Sequence, residues 1–432
     1  MACVTATVTR TARDGRVIIW PPPVSIRSLP IDWTHMRSRS TAALATTALL
    51  LLAACGSDDD GASADTTAGG AVDGTTDGAT ATSEAPSAGA DTDVVAGEAL
   101  PDERCTTNEA AGTITYLTGF DFAAAASIVE VIVADEKGYY DELCLDVDVV
   151  SSFSTANYPL IAENDAQFAS GGSFSEVVAF ADANDAEFVV TAVQGHTAID
   201  ALIVKPGEAE VLPDLAGTTI GVKGKLPPSV AAMLASEGLV EGEDFDTVLL
   251  DGFDPVAHIA IESIVGFPGW KSNEPGALER AGIDFDLFDP LDYDIPGSFG
   301  VIYTNAEFVA EHPTAAEDFM RATMLGLADA IADPEEAANI AVERINAGGN
   351  PNFLSPEGEV FRWTTDATLI VATTPEGMPL GMPDDAGLQA ELDAYAEVGL
   401  FGDAETPDAA SRLGNDILAS IYDADGNVIW PS

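Results

Sequence analysis

From Thr113 onward, short apolar runs alternate with helix signals, and this alternation restricts the chain more than any other feature. Runs at 113–117, 145–150, 167–170, 188–193 and 201–204 read as strands. Helices are expected at 123–137, stopped by Gly138, and at 174–184. The pattern resumes at 219–222, 229–236 and 247–250. Strands and helices in alternation imply an α/β fold with largely parallel sheets. After Asn305 the pattern turns helical, over 306–312, 315–331, 334–346, 357–374 and 386–397, with Pro334 and Pro356 suited to helix starts. The tail, 402–432, can dock through Ile417, Leu418, Ile421 and Trp430.

The stretch 252–305 is the most informative part of this pattern. An apolar run at 261–266 ends at a turn holding Pro268, Gly269 and Trp270. Asn273 and Glu274 follow, then Pro275 at a helix start, and Gly282 ends that helix. A second run at 284–288 leads through Pro290 to Tyr293 and Pro296, and a third at 301–304 closes the stretch. This reads as the last β-α-β of one lobe followed by a strand that returns to another. Ligands of open α/β sheets bind at strand ends and lobe boundaries, which is where these turns put Trp270, Asn273, Glu274, Asp292 and Tyr293.

Those residues carry a resemblance. Gly252-Phe253-Asp254-Pro255-Val256, Ser272-Asn273-Glu274-Pro275 with Leu278 and Gly282, and Phe288-Asp289-Pro290-Leu291-Asp292-Tyr293 look like the SsuA/THI5-like (NMT1/THI5) family of ABC-transporter substrate-binding proteins. Lys137-Gly138-Tyr139-Tyr140 and the segment 214–222 extend the likeness, which covers roughly residues 112–330. The resemblance implies a type II periplasmic-binding-protein fold, two-lobed with a double-crossover hinge and a helical C-terminal portion. It also implies a small-molecule ligand and an ABC permease as partner, and the Asn-Glu-Pro and Pro-Leu-Asp-Tyr segments look closest to the branch that binds thiamine pyrimidine precursors. That branch carries Trp and Pro after the first strand, then Asn and His. Here Phe122 replaces the Trp, and Ser127 and Ile128 take the Asn/His places, which opens the site to a different ligand.

The expected division is an N-terminal extension at 1–35, a lipoprotein signal peptide with lipobox at 36–55, an acidic tether at 56–103, lobe 1 at 104–204, lobe 2 at 205–296, and the remainder of lobe 1 at 297–432. Met36, Arg37 and Arg39 precede an apolar run at 42–52, and Leu52-Ala53-Ala54-Cys55-Gly56 resembles the lipobox of bacterial lipoproteins. Cys55 would then carry the lipid, giving an extracytoplasmic protein anchored to the cell membrane. A transmembrane anchor is the alternative, although the run is short for one. Gly, Ala, Ser, Thr and Asp dominate 56–103, with no Lys or Arg, as suits a flexible tether. Of the four cysteines, Cys105 and Cys144 each precede a predicted strand, and outside the cytoplasm they are expected to pair, two free core thiols being the alternative.

A net charge of −55, from 17 basic and 72 acidic residues, excludes a nucleic-acid partner. His196, His258 and His312 lack metal-ligand spacing, no phosphate loop or nucleophile elbow is present, and no cofactor is expected. The chain is read as a monomeric binding protein rather than an enzyme. The expected ligand contacts are Phe120, Asp121, Phe122, Ser154, Gly171, Gly172, Ser173 and His196 from lobe 1, with Phe253, Trp270, Asn273, Glu274 and Tyr293 from lobe 2. Aromatic rings with acids and amides suit a flat, amine-bearing ring. An anion would call for Arg or Lys, and only Lys223, Lys225 and Lys271 lie near the expected cleft. Alternatives are a receptor for a sulfonate or nitrate, an enzyme like the THI5 pyrimidine synthase, and an extracytoplasmic sensing module.

Overall fold

The computed structural model describes residues 92–350 and 355–432, together with the backbone of two short strands nearer the N-terminus. Those two, Thr9–Thr11 (β1) and Val17–Ile19 (β2), pair antiparallel within an N-terminal unit that ends at Ser87. The expected signal segment, Cys55 and most of the acidic stretch lie outside the described residues. The last part of the expected tether, 92–103, is bound to the body: the Thr92 carbonyl accepts from Arg104, the Gly97 N–H donates to the Trp430 carbonyl, and Leu100 packs on the core.

The larger unit contains two five-stranded sheets. In the first, Asp146–Val150 (β4), Thr113–Leu117 (β3) and Phe168–Gly171 (β5) run parallel, followed by Phe299–Asn305 (β12) and Phe188–Gly195 (β6). β12 is antiparallel to both β5 and β6, so the sheet is mixed rather than largely parallel. The second sheet has the order Asp286–Phe288 (β11), Asp200–Val204 (β7), Gly266–Trp270 (β10), Thr219–Val222 (β8) and Asp246–Leu249 (β9). The chain leaves the first sheet after β6 and returns in β12, giving two crossings, as the sequence implies. The outward crossing comes earlier than Val204: residues 200–204 pair along β10 and β11, so they are an inner strand of the second lobe's sheet.

β10 also differs from expectation. Residues 266–270 form a strand, not a turn. Pro268 is tolerated because β10 pairs along its length with β7 but touches β8 only at Gly266. At Gly266 a Cβ would sit 2.1 Å from the Ile203 carbonyl oxygen, so only glycine permits this pairing.

The first lobe's core forms where Val129–Glu136 (α2) packs against Pro313–Ala332 (α10), with Phe319 stacked on Phe168 at 4.1 Å. Pro356–Thr373 (α12) contributes Trp363 and Ile370 to the same core. The second lobe has smaller cores, one around Leu202, Val230 and Met233. Asp385–Glu397 (α13) touches both lobes, through Phe174–Asn184 (α5) in the first and Pro228–Ser236 (α6) in the second. The Tyr395 hydroxyl of α13 donates to the Pro296 carbonyl in the return crossing at 2.9 Å.

Several helices fall where none was expected, two of them in the first lobe's opening half. Asp102–Glu109 (α1) carries Cys105, which is disulfide-bonded to Cys144 with a Cα–Cα distance of 5.2 Å. Ser154–Ala162 (α4) contains Pro159. Conversely, residues 123–128 are not helical, and α2 starts only at Val129. Acids of α12 take up this segment's N–H groups: Ala124 donates to Glu359 at 2.8 Å and Ala126 to Asp366 at 3.0 Å. Four successive alanines would otherwise favour a helix by propensity, and tertiary contacts override it. Among the described residues no helix is long and apolar enough to cross a membrane.

Candidate ligand-binding site

The two lobes meet over a cavity of about 40 Å³. Its first-lobe wall is the loop after β3, 119–128, with Ser154 at the start of α4 and the end of β5 through Gly172. Ile199 of the outward crossing and Phe299 and Gly300 of β12 close one side. Trp270 comes from the second lobe and Asp366 from α12. Drug-sized pockets run to roughly 300–1,000 Å³, so the lobes stand close together here and a ring-sized guest requires them to part.

Loop 119–122 is held by backbone bonds and one carboxylate. The Ser154 N–H donates to the Gly119 carbonyl and the Asp121 N–H to the Ser152 carbonyl, both at 2.8 Å. Asp121, at φ 45°, accepts from the Phe122 N–H, the Ser151 hydroxyl and the Asn350 N–H. Its side chain is thus spent on positioning the loop. Phe120 projects toward the cleft mouth, edge-on to Phe153 at 5.8 Å and to Phe253 of the second lobe at 6.4 Å. The Lys223 ammonium lies over the Phe253 ring at 5.4 Å.

Beneath the loop lies a buried polar network. The Ser127 and Ser170 hydroxyls are in short contact, the Tyr116 hydroxyl donates to the Ser127 carbonyl, and the Ser127 N–H donates to Gln194 at 3.1 Å. Gln194 donates in turn to Glu130, a fully buried carboxyl that burial pushes up to about 8. Gly300 faces this network at φ +66°, where a Cβ would lie 2.8 Å from that of Ala126, so glycine is required.

The second-lobe wall is acidic. Glu274, buried at the start of Glu274–Arg280 (α8), accepts from the Lys223 ammonium at 2.7 Å and the Trp270 N–H at 2.8 Å. Asp200, paired in register with Trp270, is pushed up to about 7 by burial and by neighbouring Glu176 and Glu274. Across from it, Glu176 of α5 in the first lobe has its carboxylate against Gly172. Lys271 is occupied by Asp289 at 3.0 Å. Among the described residues no Lys or Arg lines the cavity.

Of the expected contacts, Phe120, Ser154, Gly171, Gly172 and Trp270 come together on the cavity wall, with Phe253 and Glu274 beside them. The others are placed elsewhere. Phe122 is a core residue beneath Arg344, 5.3 Å away. The Ser173 hydroxyl caps α5 by accepting from the Glu176 N–H. His196 lies in the outward crossing, its N–H bonded to Thr373 and its ring held toward the neutral form by burial. Asn273 accepts from Arg362 of α12 at 2.6 Å, tying the second lobe to the first. Tyr293 packs on the second lobe's core. Sequence reasoning missed Ile199, Phe299, Gly300 and Asp366, all of which line the cavity.

Comparison with known proteins agrees with this architecture. The model of the family described as NMT1/THI5 like matches residues 125–337. The chain carries an NMT1/THI5-like domain. The riboflavin-binding protein RibY of Chloroflexus aurantiacus is 30% identical over 135 residues, which are 31% of this chain and 38% of that one. The chain therefore matches well under two thirds of RibY. The formylaminopyrimidine-binding protein of Halalkalibacterium halodurans is 26% identical over 240 residues, 52% of this chain and 69% of that one. Among solved structures, the periplasmic sulfonate-binding protein SsuA of Methylobacillus flagellatus has a TM-score of 0.53 at 16% identity, covering 71% of this chain and 93% of its own. The nitrate-binding protein NrtA of Synechocystis has a TM-score of 0.51 at 14% identity, covering 71% and 87%. At such identities the likeness is one of fold, and the fold is that of periplasmic binding proteins.

Proposed function

We propose that the NMT1/THI5-like domain is an extracytoplasmic receptor that captures a small, flat, nitrogen-bearing ring between its lobes and hands it to an ABC permease without transforming it. The observation that carries this reading is the cavity's composition. Three rings, Phe120, Trp270 and Phe299, stand with serine hydroxyls and an acid, and no cation lines the space among the described residues. Rings of that kind stack on a flat heterocycle, and hydroxyl and carboxylate oxygens accept its N–H groups. The names of the two relatives, for riboflavin and formylaminopyrimidine, support the same chemical class. A pyrimidine precursor of thiamine is the specific ligand this reading favours. Cys55 would tether the protein by a lipid, and lobe closure would present the loaded form to the permease.

A sulfonate or nitrate receptor of the same fold is less well supported, because the cations beside the cavity, Lys223, Lys271 and Arg362, already face Glu274, Asp289 and Glu359. The test is mass spectrometry of small molecules released from the purified chain, followed by melting-curve shifts with aminopyrimidines, flavins and sulfonates. Shifts by nitrogen heterocycles are expected; shifts by sulfonates alone would reverse the assignment.

Glu274 offers a second check. Its removal strips the acceptor from the Trp270 N–H and the partner from Lys223, and a lost hydrogen bond to a charged group costs roughly 1.5–3 kcal/mol. The Glu274→Ala protein should fold and bind an aminopyrimidine about tenfold or more weakly by calorimetry. Unchanged affinity would reduce Glu274 to a strut of the second lobe.

A further inference from the structure

One carboxylate in the cavity has an unmet requirement. Asp366 of α12 is 2% exposed and lines the cavity between Ala126 of the first lobe and Ser272 of the second. Its Oδ2 accepts the Ala126 N–H at 3.0 Å. Its Oδ1 is buried with no hydrogen-bond partner among the described residues. A buried carboxylate oxygen without a donor is costly, and the charged donors nearby are committed elsewhere. Arg362 donates to Glu359 at 2.5 Å and to Asn273 at 2.6 Å, and Lys271 donates to Asp289. The Ser272 hydroxyl, also without a partner, lies beside the carboxylate and favours its charge, leaving Oδ1 room for a further donor.

We propose that Asp366 is the ligand's anchor, its Oδ1 accepting an N–H from an amidinium, ammonium or aminopyrimidine group, so that it sets a preference for N–H-donating and cationic rings over anions. This rests on the reading of the cavity as the ligand site. An anchor placed between Ala126 and Ser272 also lets one contact bias both lobes toward closure.

The charges around Asp366 fix how binding responds to pH. Burial raises its carboxyl to about 6, opposed by the Ala126 N–H, Ser272, Arg362 and Lys271. Glu130 of α2, raised to about 8, is largely neutral at neutral pH, and Glu359 on α12 is engaged by Ala124 and Arg362. A permanently cationic ligand needs Asp366 ionised, so its affinity falls as pH drops through about 6. Folding without ligand responds oppositely: the stability from protonated Asp366 is present below the ordinary carboxylate range, near about 4, and is lost as pH rises through about 6.

The test uses the full chain, dialysed free of small molecules, with benzamidine as the cationic probe and benzenesulfonate as its anionic counterpart. Calorimetry should show benzamidine binding that Asp366→Asn weakens at least about tenfold, the asparagine oxygen still accepting from Ala126. Between about pH 8 and about pH 5, benzamidine affinity should fall in the unmodified chain and fall distinctly less in the variant, the step near about pH 6 being lost. Equal binding by the two proteins overturns the anchor while leaving the receptor reading standing. Binding of benzenesulfonate in place of benzamidine overturns both, and absence of benzamidine binding to the unmodified chain overturns the anchor. If Asp366→Asn does not fold, the unmodified chain's profile decides, and a flat one overturns the proposal.

Discussion

Asp318→Ala is expected to lose about 3–5 kcal/mol of folding stability, the usual cost of leaving a buried charge without its partner. Asp318 is fully buried on α10 and accepts from Arg104 at 2.6 and 2.8 Å, from Arg321 at 2.9 Å and from Asn108 at 2.7 Å. Both arginines are themselves buried. Without Asp318 they share Glu317, whose side chain is 24% exposed and screened accordingly. Arg104 also holds the Thr92 carbonyl and Arg321 the Ile429 carbonyl, so the substitution loosens both ends of the described chain. Urea unfolding followed by circular dichroism measures the loss. Replacing Arg104, Asp318 and Arg321 together by apolar residues of similar size should cost much less than Asp318→Ala alone, because no stranded charge remains. If the single substitution costs under about 1 kcal/mol, the cluster behaves like a surface pair.

Removal of the disulfide is the other large effect. Cys105 and Cys144 close a loop of sequence separation 39, for which chain entropy gives about 4 kcal/mol. Asn108 of α1 independently holds the Leu143 carbonyl at 2.9 Å, so the unbridged chain keeps its local docking and should fold at low temperature. Cys105→Ala with Cys144→Ala, or reduction of the unmodified chain, should lower the urea midpoint by a similar amount. The disulfide and the Asp318 cluster both fasten α1 to the first lobe, so the two losses together should differ from their sum. A midpoint indifferent to reductant would contradict this account.

Much of the frame was legible because each local signal had one reading. The limits of α5 match expectation because Ser173 caps its start, and β3 matches because alternate residues face the core. Residues 123–128 misled because the carboxylates that capture their N–H groups lie more than 230 positions later. β10 was hidden by Pro268 and Gly269, whose tolerance depends on one-sided pairing. Asp366 left a trace that went unread. Trp363, Ala367 and Ile370 mark the inward stripe of α12, and Asp366 falls on it, an acid where helical spacing calls for an apolar residue. Asn273 bonds across the lobe boundary to Arg362, whereas Tyr293 packs on the second lobe's core, and both partners depend on long-range packing.

Capture between two lobes is tested most directly by amide hydrogen exchange of the full chain with and without formylaminopyrimidine. The account predicts protection in both lobes at once, in the first at 119–128 and 170–172 and in the second around Trp270 to Glu274, with the compound recovered intact. Protection confined to one lobe, or chemical conversion of the compound, would contradict it.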